Sequence, residues 1–93
     1  MLDNQAEKHH IYKLAYAKWG KQSRIMEYME EAAELTKELS RNLRTDNGVD
    51  KIAEKIAGVT IILEQLVSIF ECSTTVAEQK RHQLIRLRER VKV

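Results

Sequence analysis

Residues 49–70 read VDKIAEKIAGVTIILEQLVSIF, the stretch that says most about how this chain folds. Six of its apolar side chains follow the a/d spacing of a helix that packs against another helix; they are Ile52, Ile56, Val59, Leu63, Leu66 and Phe70. Further apolar residues widen this surface beyond a single stripe, which is typical of a helix buried on several sides. The segment therefore predicts the central helix of a bundle, or a helix at a subunit interface.

Three other segments predict helices. Residues 5–18 form the first, residues 23–43 the second, and the last follows Thr74. The second has its own a/d seam of Ile25, Met29, Ala32, Thr36, Leu39 and Leu43, and the last has a seam of Ala77, Leu84, Leu87 and Val91. We therefore expect an all-α fold, a four-helix antiparallel bundle that forms one domain over residues 1–93. A chain this short buries only roughly 60–65% of its unfolded surface, so we also expect a homo-oligomer.

Short breaks separate these segments. Residues 19–22 interrupt the first pattern, and Gly20 is the candidate to close a helix with a positive φ. Ser23 is then a candidate N-cap. Residues 45–48, TDNG, form the clearest turn in the sequence, and residues 75–78, TVAE, fit a capping box.

Composition excludes several classes of protein. The chain has 93 residues, no Pro and three Gly, with 43% hydrophobic residues, so neither a second core nor an extended disordered chain is expected. No apolar run is long enough to span a membrane, and the polar start predicts no signal peptide. Cys72 is the single cysteine, which excludes an intramolecular disulfide and fits a reducing cytoplasm.

Charge is distributed unevenly along the chain. The formal net charge is +2, but residues 23–46 and residues 47–72 each carry −2, whereas residues 73–93 carry +4. The basic last helix can pair with the acidic middle helices, or it can face an anionic ligand such as a phosphate. Nucleic acid is the weakest of the three alternatives, because the domain is not strongly basic and no recognition motif is present.

An acidic cluster occupies the second predicted helix. Its members are Glu27, Glu30, Glu31, Glu34 and Glu38. All of them except Glu30 share one face, and Glu30 forms an overlapping i, i+4 row with Glu34 and Glu38. Like charges at this spacing oppose helix formation, so the cluster predicts a cation nearby. The candidates are Mg²⁺, which takes carboxylate oxygens together with substrate phosphates, or basic side chains of a neighbouring helix.

The sequence resembles a known family over residues 15–90. Residues 29–35, MEEAAEL, together with Trp19 and Gln22 before them, resemble the MazG-like branch of the all-α nucleoside triphosphate pyrophosphohydrolases. Those proteins carry EExxE on one helix and ExxD on the next. Residues 59–66, VTIILEQL, resemble the continuation of that second motif, and residues 84–87, LIRL, resemble the family's closing segment.

The resemblance implies a four-helix unit that forms dimers, or dimers of dimers, and hydrolyses a nucleoside triphosphate to the monophosphate and pyrophosphate. It implies that the four motif carboxylates bind Mg²⁺, which holds the triphosphate. The site residues that it suggests are Glu30 as the catalytic residue, Glu31 and Glu34 as metal ligands, and Trp19, Gln22 and Arg86 as nucleotide or phosphate contacts.

This chain departs from the family pattern at positions that are expected to bind the metal and the phosphates. Lys55 and Gly58 stand where the second pair of carboxylates is expected, and Gln83 stands where the family often has a lysine. Glu54 lies one residue early, about 100° around the helix, and so is a poor substitute. We expect weak Mg²⁺ binding and lost or much reduced catalysis.

The hypothesis that explains the surviving acidic cluster places the Lys55 ammonium where the metal would be. A non-catalytic module that binds a nucleotide, or a helical protein-interaction module, is the alternative function.

Overall fold

The computed structural model describes residues 4–92, which contain three helices and no strand: α1 (Gln5–Arg44), α2 (Asp50–Ile69) and α3 (Ser73–Val91). The all-α class is confirmed. The first two predicted helices both form and together make up α1, in which a kink at the non-helical Gly20 separates them. None of the described helices combines the length and the apolar character needed to cross a bilayer.

Gly20 is the residue at which the two segments of α1 meet. Its φ of 83° and ψ of 170° are not helical and are open almost only to glycine. The positive φ agrees with the prediction for this residue. The helix resumes at once, so Ser23 lies inside α1 and the N-cap prediction for Ser23 was wrong.

The turn between α1 and α2 lies where the TDNG motif predicted it. Gly48 has a φ of 79°, and its N–H donates to the Asp46 carboxylate at 3.3 Å. The Asn47 amide donates to Glu38 Oε1 at 3.2 Å, which ties the turn to the last turns of α1. The turn therefore brings α2 back antiparallel to α1.

The junction between α2 and α3 corrects the capping-box prediction. Glu71 adopts a φ of 51°, and the Cys72 N–H donates to the Val67 carbonyl at 3.2 Å, which is the pattern of a Schellman ending. Helix α3 begins at Ser73, with Cys72 as an N-cap whose side chain makes no capping hydrogen bond. Residues 75–78 lie within the helix because the backbone reversal at Glu71 starts it earlier.

Helices α1 and α2 pack through positions that the sequence did not predict as core. The contact positions on α2 are Lys55, Gly58, Ile62 and Gln65, and Ile62 is only 2% exposed. On the facing side of α1 lie Arg24, Glu31 and Glu34. These polar pairs and a glycine lie in the interface beside part-buried members of the two seams, such as Ile25, Val59 and Leu66.

The apolar seams of α1 and α2 consequently lie at the edge of this interface, and several members are exposed. Met29 is 61% exposed and Leu43 is 89% exposed, and the same correction applies to Leu39, Ile56, Leu63 and Phe70. Most contact positions lie one residue before a seam position, as Arg24 lies before Ile25 and Lys55 lies before Ile56; Glu34 is the exception. One residue is about 100° of rotation. Because the helices run antiparallel, the same rotation on both turns the two seams to one side of the hairpin.

The fold buries little within one chain. The buried hydrophobic residues are Tyr12 and Ile62. The chain exposes 7653 Å², whereas a compact monomer of 10.9 kDa exposes roughly 5,600 Å². The radius of gyration is 16.0 Å, compared with about 12 Å for a compact domain of this length. Helix α3 contributes to this excess, since it contacts α2 and has no contact with α1 among the described residues.

Candidate functional site

Glu31 of α1 lies directly over Gly58 of α2. The Glu31 Oε2 atom occupies the space that a side chain at Gly58 would need, and the Glu31 Cδ atom is 3.3 Å from where a Cβ would be built. Gly58 therefore lets the carboxylate lie close against the backbone of α2. The structure brings together the two positions that the sequence analysis assigned to opposite halves of one site.

Lys55 lies one turn before Gly58 and reaches the other carboxylate. Its Nζ atom is 3.3 Å from Glu34 Oε2, in a charge-assisted hydrogen bond, and 3.9 Å from Glu54 Oε1. The hydrogen bond to Glu34 is the main reason that the pKa of Lys55 is raised, and the charges of Glu34, Glu54 and Glu31 add to it. The ammonium is therefore held among three carboxylates, in the contact with the acidic cluster that was predicted.

This arrangement does not fit a divalent cation. Within residues 4–92, no three side chains of His, Cys, Asp or Glu come together as a metal centre. Glu31 and Glu34 supply carboxylate oxygens, but Lys55 places a positive charge beside them and Gly58 supplies no ligand atom. Mg²⁺ needs hard oxygen ligands and gives up its water reluctantly, so the ammonium and the ion would compete for the same carboxylates.

The other members of the acidic cluster have different environments. Glu30, the predicted catalytic residue, is exposed on α1, and neither Glu30 nor Glu27 forms an ion pair with a described residue. Glu38 is buried, accepts from Asn47 and lies 3.8 Å from Arg41. Glu38 therefore anchors the turn between α1 and α2, a structural role for a residue that the sequence grouped with the site.

Two of the predicted nucleotide contacts lie beside the bend in α1. The Trp19 ring is about half exposed, with the Arg24 guanidinium carbon 4.7 Å and Lys18 Nζ 5.3 Å from its centroid. Gln22 is exposed. Both are cation–π contacts, and they hold the exposed Trp19 ring beside two cationic side chains.

Arg86, the third predicted contact, lies elsewhere. It is exposed on α3 and lines a shallow groove of about 660 Å³, together with Leu84 and Leu87 of the same helix. Helix α3 does not contact α1 in the described part of the chain, so one copy does not bring Arg86 to Glu31 or Glu34.

The structure also shows a cleft that the sequence analysis missed. It has a volume of about 890 Å³ and lies between the start of α1, the second half of α2 and the start of α3. The Tyr12 hydroxyl donates to Glu64 Oε1 at 2.6 Å, and Lys8 Nζ is 3.3 Å from the same oxygen. Burial and the Glu64 carboxylate raise the pKa of Tyr12 to about 12. The Tyr12 hydrogen bond and Lys8 lower the pKa of Glu64.

No sequence signal pointed to this cluster. Tyr12 and Glu64 are far apart in the chain and meet only because α1 reverses direction at Gly20. Apolar periodicity within one helix does not identify a partner on a distant helix. The cleft is therefore a product of the bend.

The fold and the site together define an all-α protein with an acidic site between two helices, in which Lys55 forms an ion pair with Glu34. Comparisons with family models, with curated proteins and with solved structures find no match to this chain.

Proposed function

We propose that this chain is a MazG-like protein of the all-α nucleoside triphosphate pyrophosphohydrolase type in which catalysis is lost or much reduced. The motif resemblance suggests the ancestral reaction, which converts a nucleoside triphosphate to the monophosphate and pyrophosphate with Mg²⁺. The observation that carries the loss is the Lys55 ammonium, 3.3 Å from Glu34 and among the carboxylates that would hold the metal.

The physical reason is one of charge and ligand number. Lys55 supplies a fixed positive charge that offsets the repulsion among the acidic residues, which a metal would otherwise do. Unlike a metal ion, an ammonium has no open coordination position for a phosphate oxygen and cannot lower the pKa of a bound water. The site keeps its electrostatic balance without the chemistry that the ion supplies.

Pyrophosphate release by the double variant Lys55→Glu with Gly58→Asp tests the proposal. The variant restores four carboxylates, and the flexible end of Glu31 can move to make room for the new side chain at Gly58. With a panel of nucleoside triphosphates and Mg²⁺ or Mn²⁺, we expect hydrolysis by the variant and little or none by the wild type.

A matched control carries Lys51→Glu with Gly58→Asp, because Lys51 is an exposed lysine one turn before Lys55 and has the same charge change. Hydrolysis by this control equal to that of the test variant would contradict the special role of Lys55. Robust metal-dependent hydrolysis by the wild type would contradict the loss of catalysis.

We further propose that the working form is a homodimer or a dimer of dimers in the cytoplasm, with a nucleoside triphosphate as the ligand. The exposed surface of 7653 Å² supports the oligomer, because the roughly 2,000 Å² in excess of a compact monomer exceeds the about 800 Å² that each partner buries in a standard interface. The single cysteine supports the compartment.

The second candidate is a non-catalytic helical module that binds a nucleotide or another protein. The exposure of α3 along nearly its whole length favours it, since a helix with so little intramolecular packing is available to a partner. Thermal shift with nucleotides, with and without Mg²⁺, separates the two forms of this candidate. Stabilisation that does not depend on metal indicates a nucleotide-binding module, and the absence of any shift counts against nucleotide binding and leaves the protein-interaction form as the better candidate.

A further inference from the structure

Helix α3 is an amphipathic helix that contacts α2 only weakly and does not contact α1 among the described residues. Val76 is its only residue that is not exposed, and the seam residues Leu84 and Val91 are 62% and 66% exposed. Most of its cationic side chains also form no ion pair. Among the described residues, the ion pairs at α3 join Arg88 and Lys92 to Glu89. Because packing of an amphipathic face supplies much of a helix's stability in proteins, an apolar surface that covers this seam would stabilise α3.

The second half of α1 offers a surface of the matching kind. Met26 and Met29 are both more than half exposed. They adjoin Glu27 and Glu30, which form no ion pair with a described residue. An apolar strip next to unpaired carboxylates complements an apolar strip flanked by unpaired arginines.

We propose that α3 of one copy docks on α1 of a second copy, with Leu84 and Leu87 against Met26 and Met29, and with Arg86 and Arg90 facing Glu27 and Glu30. The exchange is reciprocal, so each copy both donates and receives an α3 helix. This inference rests on the homodimer proposed above, and it specifies which surfaces meet.

Charge, area and length all favour a second copy as the occupant. Residues 73–93 carry +4, whereas residues 23–46 and 47–72 together carry −4, which makes the chain complementary to itself. The surface excess of roughly 2,000 Å² is enough for reciprocal docking of a helix from each copy. Helix α3 is about 28 Å long, and the α1 segment after Gly20 is about 36 Å long, so the docked helix fits within it.

Disulfide trapping tests the arrangement. In a Cys72→Ser background, one chain carries Met29→Cys and a second chain, with a different tag, carries Leu87→Cys. After mixing and mild oxidation, we expect a disulfide-linked heterodimer on a non-reducing gel. A control mixture of Lys51→Cys with Leu87→Cys, in which the first site lies away from the docking face, should give little.

Placing both cysteines in one chain distinguishes exchange of α3 between copies from packing of α3 on α1 of its own chain. If Met29→Cys and Leu87→Cys in a single chain crosslink within a monomer, the exchange is overturned, although the dimer proposal is not. A monomer in light scattering at tens of micromolar would overturn both. Neither result bears on whether Lys55 has replaced a metal, which the pyrophosphate assay tests separately.

Charge reversal provides a second readout that does not need a disulfide. The variant Arg86→Glu with Arg90→Glu should weaken self-association roughly tenfold. Mixing it with a Glu27→Arg, Glu30→Arg chain should restore association as a heterodimer. A control with Lys13→Glu and Lys51→Glu has the same net charge and should associate nearly as the wild type does. Failure of the complementary pair to associate, while circular dichroism shows both chains helical, would overturn the proposal.

Discussion

The Tyr12 side chain is buried, and its hydroxyl contacts the charged Glu64 side chain. Its ring is 8% exposed, and its hydroxyl would be costly to bury without a hydrogen bond, which the Glu64 carboxylate provides at 2.6 Å. Lys8 holds the same carboxylate oxygen from the other side. The three groups join the start of α1 to α2 in a region that otherwise has few buried contacts.

We predict that Tyr12→Phe lowers the free energy of unfolding at pH 7 by about 1 kcal/mol, because the ring packing remains and one hydrogen bond to a charged group is lost. Urea unfolding followed by circular dichroism measures the change. The matched control is Tyr16→Phe, since Tyr16 is exposed and its hydroxyl has no described hydrogen bond. An equal loss in both variants would contradict the role of the Glu64 bond.

The same pair predicts a pH dependence with a definite sign. The pKa of Tyr12 is about 12 in the folded state and 10.0 ordinarily, so the unfolded chain loses this proton first. Its contribution is present below pH 10 and is lost as the pH rises toward 12. The lowered pKa of Glu64 acts at the acid end, where its contribution is lost as the pH falls through the folded-state pKa.

Unfolding free energies of the wild type and Tyr12→Phe, compared at pH 8 and pH 11, isolate the tyrosine because other alkaline titrations are common to both. We expect the difference between them to shrink at pH 11. A constant difference across this range would show that Tyr12 does not titrate as described.

At the scale of elements, the bend in α1 decides which helices can meet. Gly20 turns the chain so that residues 5–19 run back beside α2, and this turn creates the Tyr12 cleft. The sequence identified the glycine, because few other residues accept a positive φ. It misplaced Ser23 and residues 75–78, because a cap signal shows where a helix can begin, whereas the backbone geometry beside it decides where the helix does begin.

We predict that Gly20→Ala lowers the free energy of unfolding by about 1–3 kcal/mol. No atom lies within 4 Å of the added methyl group, so the whole cost arises from a φ of 83°. Thermal and urea unfolding measure it, with Gln22→Ala as a neighbouring control at an exposed position in helical backbone. A neutral result for Gly20→Ala would mean that α1 can straighten without loss of stability.

At the scale of the whole molecule, the chain keeps its best apolar surface exposed. The seams of α1 and α2 turn to one side of the hairpin, while Lys55, Gly58 and Gln65 take the interface between the helices. This division follows from charge and size: Gly58 lets Glu31 approach, and Lys55 pairs with Glu34. In the proposed dimer, the exposed members of the seams form the contact between copies.

We predict that Met29→Lys with Ile56→Lys abolishes self-association and leaves the helical content unchanged. Both side chains are exposed in one copy, so the cost within the chain is small, about 0.5 kcal/mol or less for each. Light scattering and circular dichroism measure the two effects. Ile61→Lys is the control, because Ile61 is also exposed but lies outside the seam. An unchanged dimer in the double variant would contradict the proposed role of the seams.

The sequence alone determined the helical class, the bend at Gly20, the turn at residues 45–48 and the contact of Lys55 with the acidic cluster. These follow from local backbone preference, from periodicity and from charge. Only the tertiary structure decided which face of each helix is packed, that Glu38 anchors a turn, that Tyr12 meets Glu64, and that α3 is left without a partner. Those outcomes depend on the rotation of α1 against α2, and because a one-residue offset turns a helix by about 100°, periodicity alone does not fix that rotation.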